Sequence, residues 1–83
     1  MKKCIITVDG KDSVGIIAKV CMYLAETNIN ILDVTQNIVD GCFHMKAVTD
    51  VSASRKEADV VAKELDRLGQ QIGVEIRCRD EEI

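Results

Sequence analysis

The residues best suited to bind a ligand lie in one stretch near the start of the chain, between positions 9 and 30. Asp12 and Ser13 offer side-chain oxygens there, and Val14 and Ile16 flank Gly15 at the expected start of a helix. The first amides of a helix have no acceptor within it and carry the positive end of its dipole, so a carboxylate is their natural guest. Gly15 lacks a Cβ, which lets a ligand approach the backbone closely.

Polar side chains that could hold an ammonium group accompany this helix start. Asp12 supplies a carboxylate, and Asn28 and Asn30 supply amide oxygens where the helix should end. A carboxylate site beside an ammonium site fits a zwitterion, which predicts a free amino acid as the ligand. The alternative is purely structural, because Asp12 or Ser13 could cap the helix, Asn28 could end it, and Gly15 could serve packing alone.

The elements that must position these residues follow from the hydrophobic periodicity of the chain. Alternation with a period of two predicts strands, and apolar residues at helical spacing predict two helices. The predicted elements are a strand over 2–8, a helix over 14–27, strands over 29–39 and 42–49, a helix over 58–68 and a strand over 73–79. The acidic end, residues 80–83, is expected to be frayed.

Local signals mark the boundaries of these elements. Asp9-Gly10 predicts a turn that ends the first strand, and Asp40-Gly41 predicts a hairpin between the second and third strands. Ser54 and Glu57 fit a capping box at the start of the second helix. Gly69 stands where that helix is expected to stop.

The order βαββαβ predicts a single α+β domain over residues 1–83. Right-handed crossovers give a ferredoxin-like fold, in which a four-stranded antiparallel sheet of order 4-1-3-2 carries both helices on one face. The second strand then lies at a sheet edge with unpaired backbone groups. Because apolar residues occur on both faces of the strands in so small a chain, we expect a second copy to cover part of the surface and form a homodimer.

Composition excludes several classes of partner. The net charge of −3 leaves no basic surface for a nucleic acid or an anionic membrane. No apolar run approaches the roughly 20 residues of a membrane span, and the residues before Asp9 are too few for a signal peptide. We therefore expect a cytoplasmic protein with neither a nucleic-acid nor a membrane partner.

Other functions that use the same topology lack their characteristic residues here. Acylphosphatases rely on an arginine in the first loop, where this chain has Lys11, and copper-carrying domains place a Cys-x-x-Cys motif there. RNA-recognition domains stack bases on strand aromatics, and Phe43 alone does not supply them. The single histidine, His44, has no evident nucleophile partner. We expect no enzymatic activity, no metal site and no cofactor.

The chain contains four cysteines and no Cys-x-x-Cys pair. They are Cys4, Cys21, Cys42 and Cys78. We expect reduced thiols that pack as small apolar side chains, as is usual in a cytosolic protein. A disulfide or a metal site is the alternative, and Cys42 is its first candidate because Gly41 and His44 lie beside it.

Several segments of the chain resemble one known family. They are residues 12–20, 24–26, 28–34, 35–37, 40–45 and 50–52. The earlier segments resemble the first half of an ACT domain, and the later ones resemble small stand-alone ACT proteins related to the glycine-cleavage-system repressor. The resemblance implies a regulatory domain that binds amino acids between two copies of the chain. It also implies ligand contacts from residues 12–16 of one copy and from Asn28, Ile29 and Asn30 of the other.

Two classes of function follow from these features. The first is a homodimeric small-molecule sensor that passes its occupancy to another, unidentified protein. The second is a constitutive protein–protein adaptor with no functional ligand site. A ligand-dependent change in stability distinguishes the two.

Overall fold

A computed structural model describes residues 1–80 and confirms the predicted order of elements. The elements are β1 (Lys3–Lys11), α1 (Ile16–Glu26), β2 (Asn30–Val39), β3 (Cys42–Asp50), α2 (Ala58–Ile72) and β4 (Val74–Asp80). All pairs of neighbouring strands are antiparallel, and the sheet order is β2-β3-β1-β4, which is the predicted order taken from the other edge. Within residues 1–80, neither helix is long and apolar enough to cross a membrane. Asp80 ends β4, and the rest of the segment expected to be frayed, 81–83, lies outside the described residues.

One face of the sheet packs against both helices and forms the core. On β1 the residues that alternate toward the helices are Cys4, Ile6 and Val8, and none is more than 3% exposed. The other core residues come from β3, β4 and the two helices; they include Phe43, Met45, Ala47, Val74, Ile76, Ile16, Val20, Leu24, Val61 and Leu65. The predicted placement of both helices on one face is therefore confirmed.

The opposite face of the sheet, which the sequence leaves unassigned, is largely polar. Asp9 and His44 are paired across β1 and β3 on this face, and His44 Nδ1 lies 2.7 Å from Asp9 Oδ1. Thr7 and Lys46 form the next pair on the same side. His44 is exposed while Phe43 is buried, so the predicted opposite orientations of these two residues are confirmed.

The predicted end of β1 is wrong, because the strand continues through Asp9-Gly10 to Lys11. Lys11 still pairs with Cys42, so ladder hydrogen bonds to β3 outweigh the local turn preference. Gly10 serves a close approach of strands instead: a Cβ at this position would lie 2.9 Å from Val74 Cγ1 of β4.

The predicted start of α1 also needs correction. The helix begins at Ile16 rather than at Val14, and its N-cap is Gly15 in the left-handed conformation, with φ of 90°. No side-chain cap hydrogen bond is made at this end, so neither Asp12 nor Ser13 caps the helix. Because glycine adopts this conformation without steric cost, the chain turns sharply into the helix without a side-chain cap.

Two other predicted boundaries of the first half are confirmed. Asn28, after the end of α1, has φ of 62°, the left-handed conformation that asparagine tolerates. Asp40 and Gly41 have φ of 51° and 78°, and positive values at both positions are typical of a type I′ hairpin turn. These two turns fix the register of β2 between α1 and β3.

The predicted capping box of α2 is not formed. The N-cap is Glu57, and no side-chain cap hydrogen bond is present there. Ser54 Oγ instead accepts a hydrogen bond from Lys56 N at 3.2 Å and donates one to Lys56 O at 2.9 Å. A local turn within the loop therefore uses the serine that the sequence assigns to the helix.

α2 does not stop at Gly69 but continues to Ile72, and Gly73 forms its C-cap with φ of 80°. Gly69 serves the contact between α2 and β4, because a Cβ there would lie 2.6 Å from Val74 O. As at Gly10, the missing side chain reflects a close approach of backbone rather than a chain reversal.

Tyr23, the only tyrosine of the chain, joins α1 to α2. Tyr23 Oη donates a hydrogen bond to Glu64 Oε1 at 2.7 Å, and Lys56 Nζ donates to the same oxygen at 2.7 Å. Burial, and next the hydrogen bond to Glu64, raise the pKa of Tyr23 to about 12. The hydrogen bonds from Lys56 and Tyr23 in turn lower the pKa of Glu64.

We expect the tyrosine absorbance of the folded protein to titrate near pH 12 rather than near the usual value of about 10. Since the folded-state pKa is raised, the neutral phenol contributes its full stability below about pH 10 and loses it as the pH approaches 12. An ultraviolet titration measures the midpoint, with Tyr23→Phe as the blank. Glu64→Gln, which removes the charge but keeps an acceptor, should lower the midpoint. A folded wild-type protein that titrates near 10 would contradict the assigned environment.

Candidate ligand site at the entrance of α1

The candidate site is the turn that connects β1 to α1. The turn starts after Lys11, where Asp12 N donates a hydrogen bond to Gly41 O at 2.9 Å. It ends at Gly15, whose left-handed conformation directs the chain into Ile16 and the helix. The β2–β3 hairpin thus fixes the start of the turn, and the left-handed glycine fixes its end.

In the part of the chain that the structure describes, most backbone amides of this turn have no protein partner. The first α-helical hydrogen bond at this end of α1 runs from Lys19 N to Gly15 O at 3.1 Å. Within residues 1–80, the amides of residues 13–18 meet no backbone or side-chain acceptor. Successive N–H groups that follow a left-handed residue converge on one concavity, and such a concavity binds anions. The entrance can therefore bind a carboxylate by backbone atoms alone.

The side chains around these amides leave them accessible. Asp12 and Ser13 are exposed, and Val14 is fully exposed at 102%. Ile16 is buried and fixes the helix start in the core. A Cβ built on Gly15 would meet no atom within 4 Å, so the space above the turn is open. The sequence predicts that a ligand can approach the backbone closely at Gly15, and this open space is compatible with that prediction.

The second group of predicted site residues lies at the other end of α1. Asn28 Nδ2 donates a hydrogen bond to Ala53 O at 3.0 Å, Ile29 is buried in the core, and Asn30 is exposed at the start of β2. The 11 residues of α1 span about 16 Å, which separates these residues from Gly15. A single chain therefore does not bring the two groups together, and Asp12 cannot share an ammonium group with its own Asn28 or Asn30.

An apolar surface beside the site is left uncovered by the other described residues, 1–80. β2 is an edge strand, as predicted, and its helix-side residues Val34 and Ile38 are 43% and 57% exposed. Ile17 of α1 is 39% exposed and lies about 120° around the helix from Tyr23, which contacts α2. We call Ile17, Val34, Ile38 and the free backbone of β2 the β2 edge surface. It is contiguous with a strand that can pair with another chain.

The sequence predicts that all four cysteines pack as small apolar side chains, but they differ in how deeply they are buried. All four are free; Cys4 is buried, Cys21 and Cys78 are half-buried, and Cys42 is exposed at the β2–β3 hairpin. Within residues 1–80, no group of three or more His, Cys, Asp or Glu side chains has a geometry suited to a metal ion.

Comparison with known proteins gives close relatives along nearly the whole chain. A model of the ACT domain family matches residues 2–79. A UPF0237 protein of Bifidobacterium longum is 49% identical over 83 residues, which are 100% of this chain and 92% of that protein. An ACT domain protein from Streptococcus pneumoniae superposes with a TM-score of 0.85 at 37% identity, over 95% of this chain and 89% of the other.

A more distant structure shows the same fold. It is provisionally assigned as a glycine cleavage system transcriptional repressor and has a TM-score of 0.82 at 21% identity, over 99% of this chain and 47% of the other. The family match runs from the residue before β1 almost to the end of β4, so it includes both the α1 entrance and the β2 edge surface. The chain belongs to the ACT domain family.

Proposed function

We propose that this chain is a homodimeric cytoplasmic sensor that binds a free amino acid at the α1 entrance and has no catalytic role. The observation that carries the proposal is the set of free backbone amides that follows the left-handed Gly15. Membership of the ACT family supports it, because ACT domains are commonly small-molecule-sensing regulatory domains. In this proposal a second, unidentified protein binds the sensor and responds to its occupancy.

The ligand chemistry follows from the groups at the entrance. The amides of residues 13–18 and the helix dipole favour the α-carboxylate of the ligand. The Asp12 carboxylate is exposed and, within residues 1–80, makes no side-chain hydrogen bond or ion pair, so it is available for the α-ammonium group. A free amino acid carries its carboxylate and its ammonium group on the same carbon. The amides and the Asp12 carboxylate, which lie within one turn, can therefore bind both.

The second copy would supply the rest of the site. When two chains pair antiparallel about a two-fold axis along their β2 edges, the start of one β2 lies near the end of the other. The end of β2 leads to Gly41, whose carbonyl binds Asp12 N. Such pairing would bring Asn30 of one copy toward the α1 entrance of the other and would bury Val34 and Ile38. It accounts for both the distance between the two groups of site residues and the uncovered apolar surface.

A panel of the natural amino acids should contain at least one that raises the melting temperature of the protein. Binding at about 100 times the dissociation constant adds about 2.7 kcal/mol, and each kcal/mol moves the midpoint by about 4–8 °C for a domain of this size. Differential scanning fluorimetry measures the shift. Gly15→Asn should abolish it, because asparagine keeps the left-handed backbone but places a side chain over the amides.

Gly73→Asn is the matched control for this experiment. Gly73 is also left-handed and also has open space around its missing Cβ, but it lies at the end of α2. We expect this variant to keep the full ligand shift. If no amino acid shifts the wild-type midpoint, the constitutive adaptor becomes the favoured function. A full shift in Gly15→Asn would place the ligand elsewhere on the protein.

A further inference from the structure

A cavity lies at the opposite end of the sheet from the α1 entrance. It has a volume of about 470 Å³ and opens between the start of β1, the end of β4 and the loop before α2. Lys2 and Arg55 line it with exposed side chains, and Asp80 lines it from the end of β4. Cys4 and Cys78 also line it, so two of the four thiols of the chain face one cavity.

The two thiols of this cavity lie on neighbouring strands of the sheet. Ile6 pairs with Cys78 and Cys4 pairs with Asp80, so the cysteines lie on neighbouring strands, on the same face, two positions apart along the ladder. The Cys4 thiol donates a hydrogen bond to Ile5 O at 3.9 Å.

The environments of the two thiols differ in a way that gives them different reactivity. The neighbouring Cys4 thiol lowers the pKa of Cys78, although burial and the Asp80 carboxylate act in the opposite direction. The neighbouring Cys78 side chain, and next burial, raise the pKa of Cys4. Cys4 is only 3% exposed, whereas Cys78 is half-buried. Cys78 is therefore the more accessible nucleophile, and Cys4 is the thiol held next to it.

We propose that Cys78 and Cys4 form a redox-active dithiol that reacts, through this cavity, with low-molecular-weight disulfides. The Cys78 thiolate attacks one sulfur of the small disulfide, which forms a mixed disulfide and releases one small thiol. Cys4 then attacks Cys78 Sγ, which closes the Cys4–Cys78 disulfide and releases the second small thiol. The two protein thiols lose two electrons and two protons, and the small disulfide gains them.

The strand positions of the pair indicate that this disulfide is easily reduced. Diagonal neighbours on antiparallel strands lie about 7–8 Å apart, whereas a relaxed disulfide needs Cα atoms within about 4.4–6.8 Å. Closing the bond must therefore draw the start of β1 and the end of β4 together, where each strand ends and has fewer neighbours. Strained disulfides are the labile ones, so we expect reversible rather than structural oxidation.

The test uses glutathione disulfide as the probe and the variant Cys21→Ala/Cys42→Ser, which keeps only the proposed pair. We expect a product that has lost two hydrogen atoms and whose peptides are cross-linked between Cys4 and Cys78, by mass spectrometry after alkylation. Reduced glutathione should restore the starting mass. Peptide mapping of the wild-type chain gives the same information without any substitution, so the test does not depend on the variant folding.

Single substitutions separate the two roles. In Cys4→Ala the reaction should stop at one glutathione on Cys78, because no thiol is present to displace it. In Cys78→Ala the adduct at Cys4 should form at least about tenfold more slowly, because Cys4 is buried and lacks thiolate character. Adducts only at Cys42 of the wild-type chain, with Cys4 and Cys78 still reduced, would overturn the proposal. A reaction rate that follows the unfolded fraction as urea is added would also overturn it, because the thiols would then react outside the folded cavity.

Discussion

Val34→Lys is expected to dissociate the proposed homodimer and to abolish amino-acid binding with it. Val34 is 43% exposed on the helix side of the edge strand β2, and a two-fold pairing buries it once in each copy. Because only this 43% of Val34 is left to bury, its loss costs about 0.6–1.3 kcal/mol per copy and about 1.3–2.6 kcal/mol per dimer. The dissociation constant should therefore rise about 10–10²-fold. Sedimentation equilibrium measures this as a shift toward the 9.2 kDa monomer.

Thr35→Gln is the matched control for the edge substitution. It places a long polar side chain one residue away, on the polar face of the same strand, where Thr35 pairs with Lys46 and no like-charge pair is created. We expect this variant to remain dimeric and to bind ligand, because the helix-side surface is intact. A wild-type protein that sediments only as a monomer at tens of micromolar would rule out the pairing, and so would a Val34→Lys variant that dimerises as wild type does.

Gly69→Ala should cost the protein about 2–4 kcal/mol of unfolding free energy, although alanine favours helices. The added Cβ would lie 2.6 Å from Val74 O and 3.2 Å from Ile76 Cγ1, so α2 must move away from β4. The nearest atom is a backbone oxygen rather than the end of a flexible side chain, so the structure can relieve the clash only by moving backbone. Urea denaturation followed by circular dichroism measures the loss.

Gln71→Ala tests whether helix propensity or packing controls this end of α2. Gln71 is exposed in the same turn of the helix, so its substitution should change stability by less than about 0.5 kcal/mol. If Gly69→Ala is as stable as Gln71→Ala, the close approach of α2 to β4 is not a strong constraint. The glycine would then have to be explained by helix termination, as the sequence alone suggests.

The sequence predicts the types and order of all six elements because their hydrophobic periodicity is local. Prediction from the sequence is wrong where the role of a residue depends on a contact with another element of the fold. Gly10 and Gly69 resemble a turn and a helix stop, yet both leave room for Val74, and Gly10 is more than 60 residues away from it. Such contacts depend on how β4 approaches β1 and α2, which no short window of sequence contains.

The candidate site shows the same division between local and distant information. The turn at Gly15 and the left-handed Asn28 can be located from the sequence, because each is a property of a few consecutive residues, although the helix begins two residues later than predicted. The hydrogen bond from Asp12 N to Gly41 O could not be located from the sequence, because it joins two turns that are 29 positions apart. The apolar residues on both strand faces were the one signal of the β2 edge surface, and they did not indicate which strand was left uncovered.

Because β1 lies inside the sheet, its position determines when during folding its two edges can be paired. Its neighbours, β3 and β4, begin 39 and 71 positions after Lys3, so both edges of β1 are paired only after a strand 71 positions further along the chain has formed. Sheets that depend on such distant pairings fold slowly and expose their edges meanwhile. The turn that follows β1 is therefore finished only when β3 is in place, and a nascent or truncated chain should not respond to the ligand.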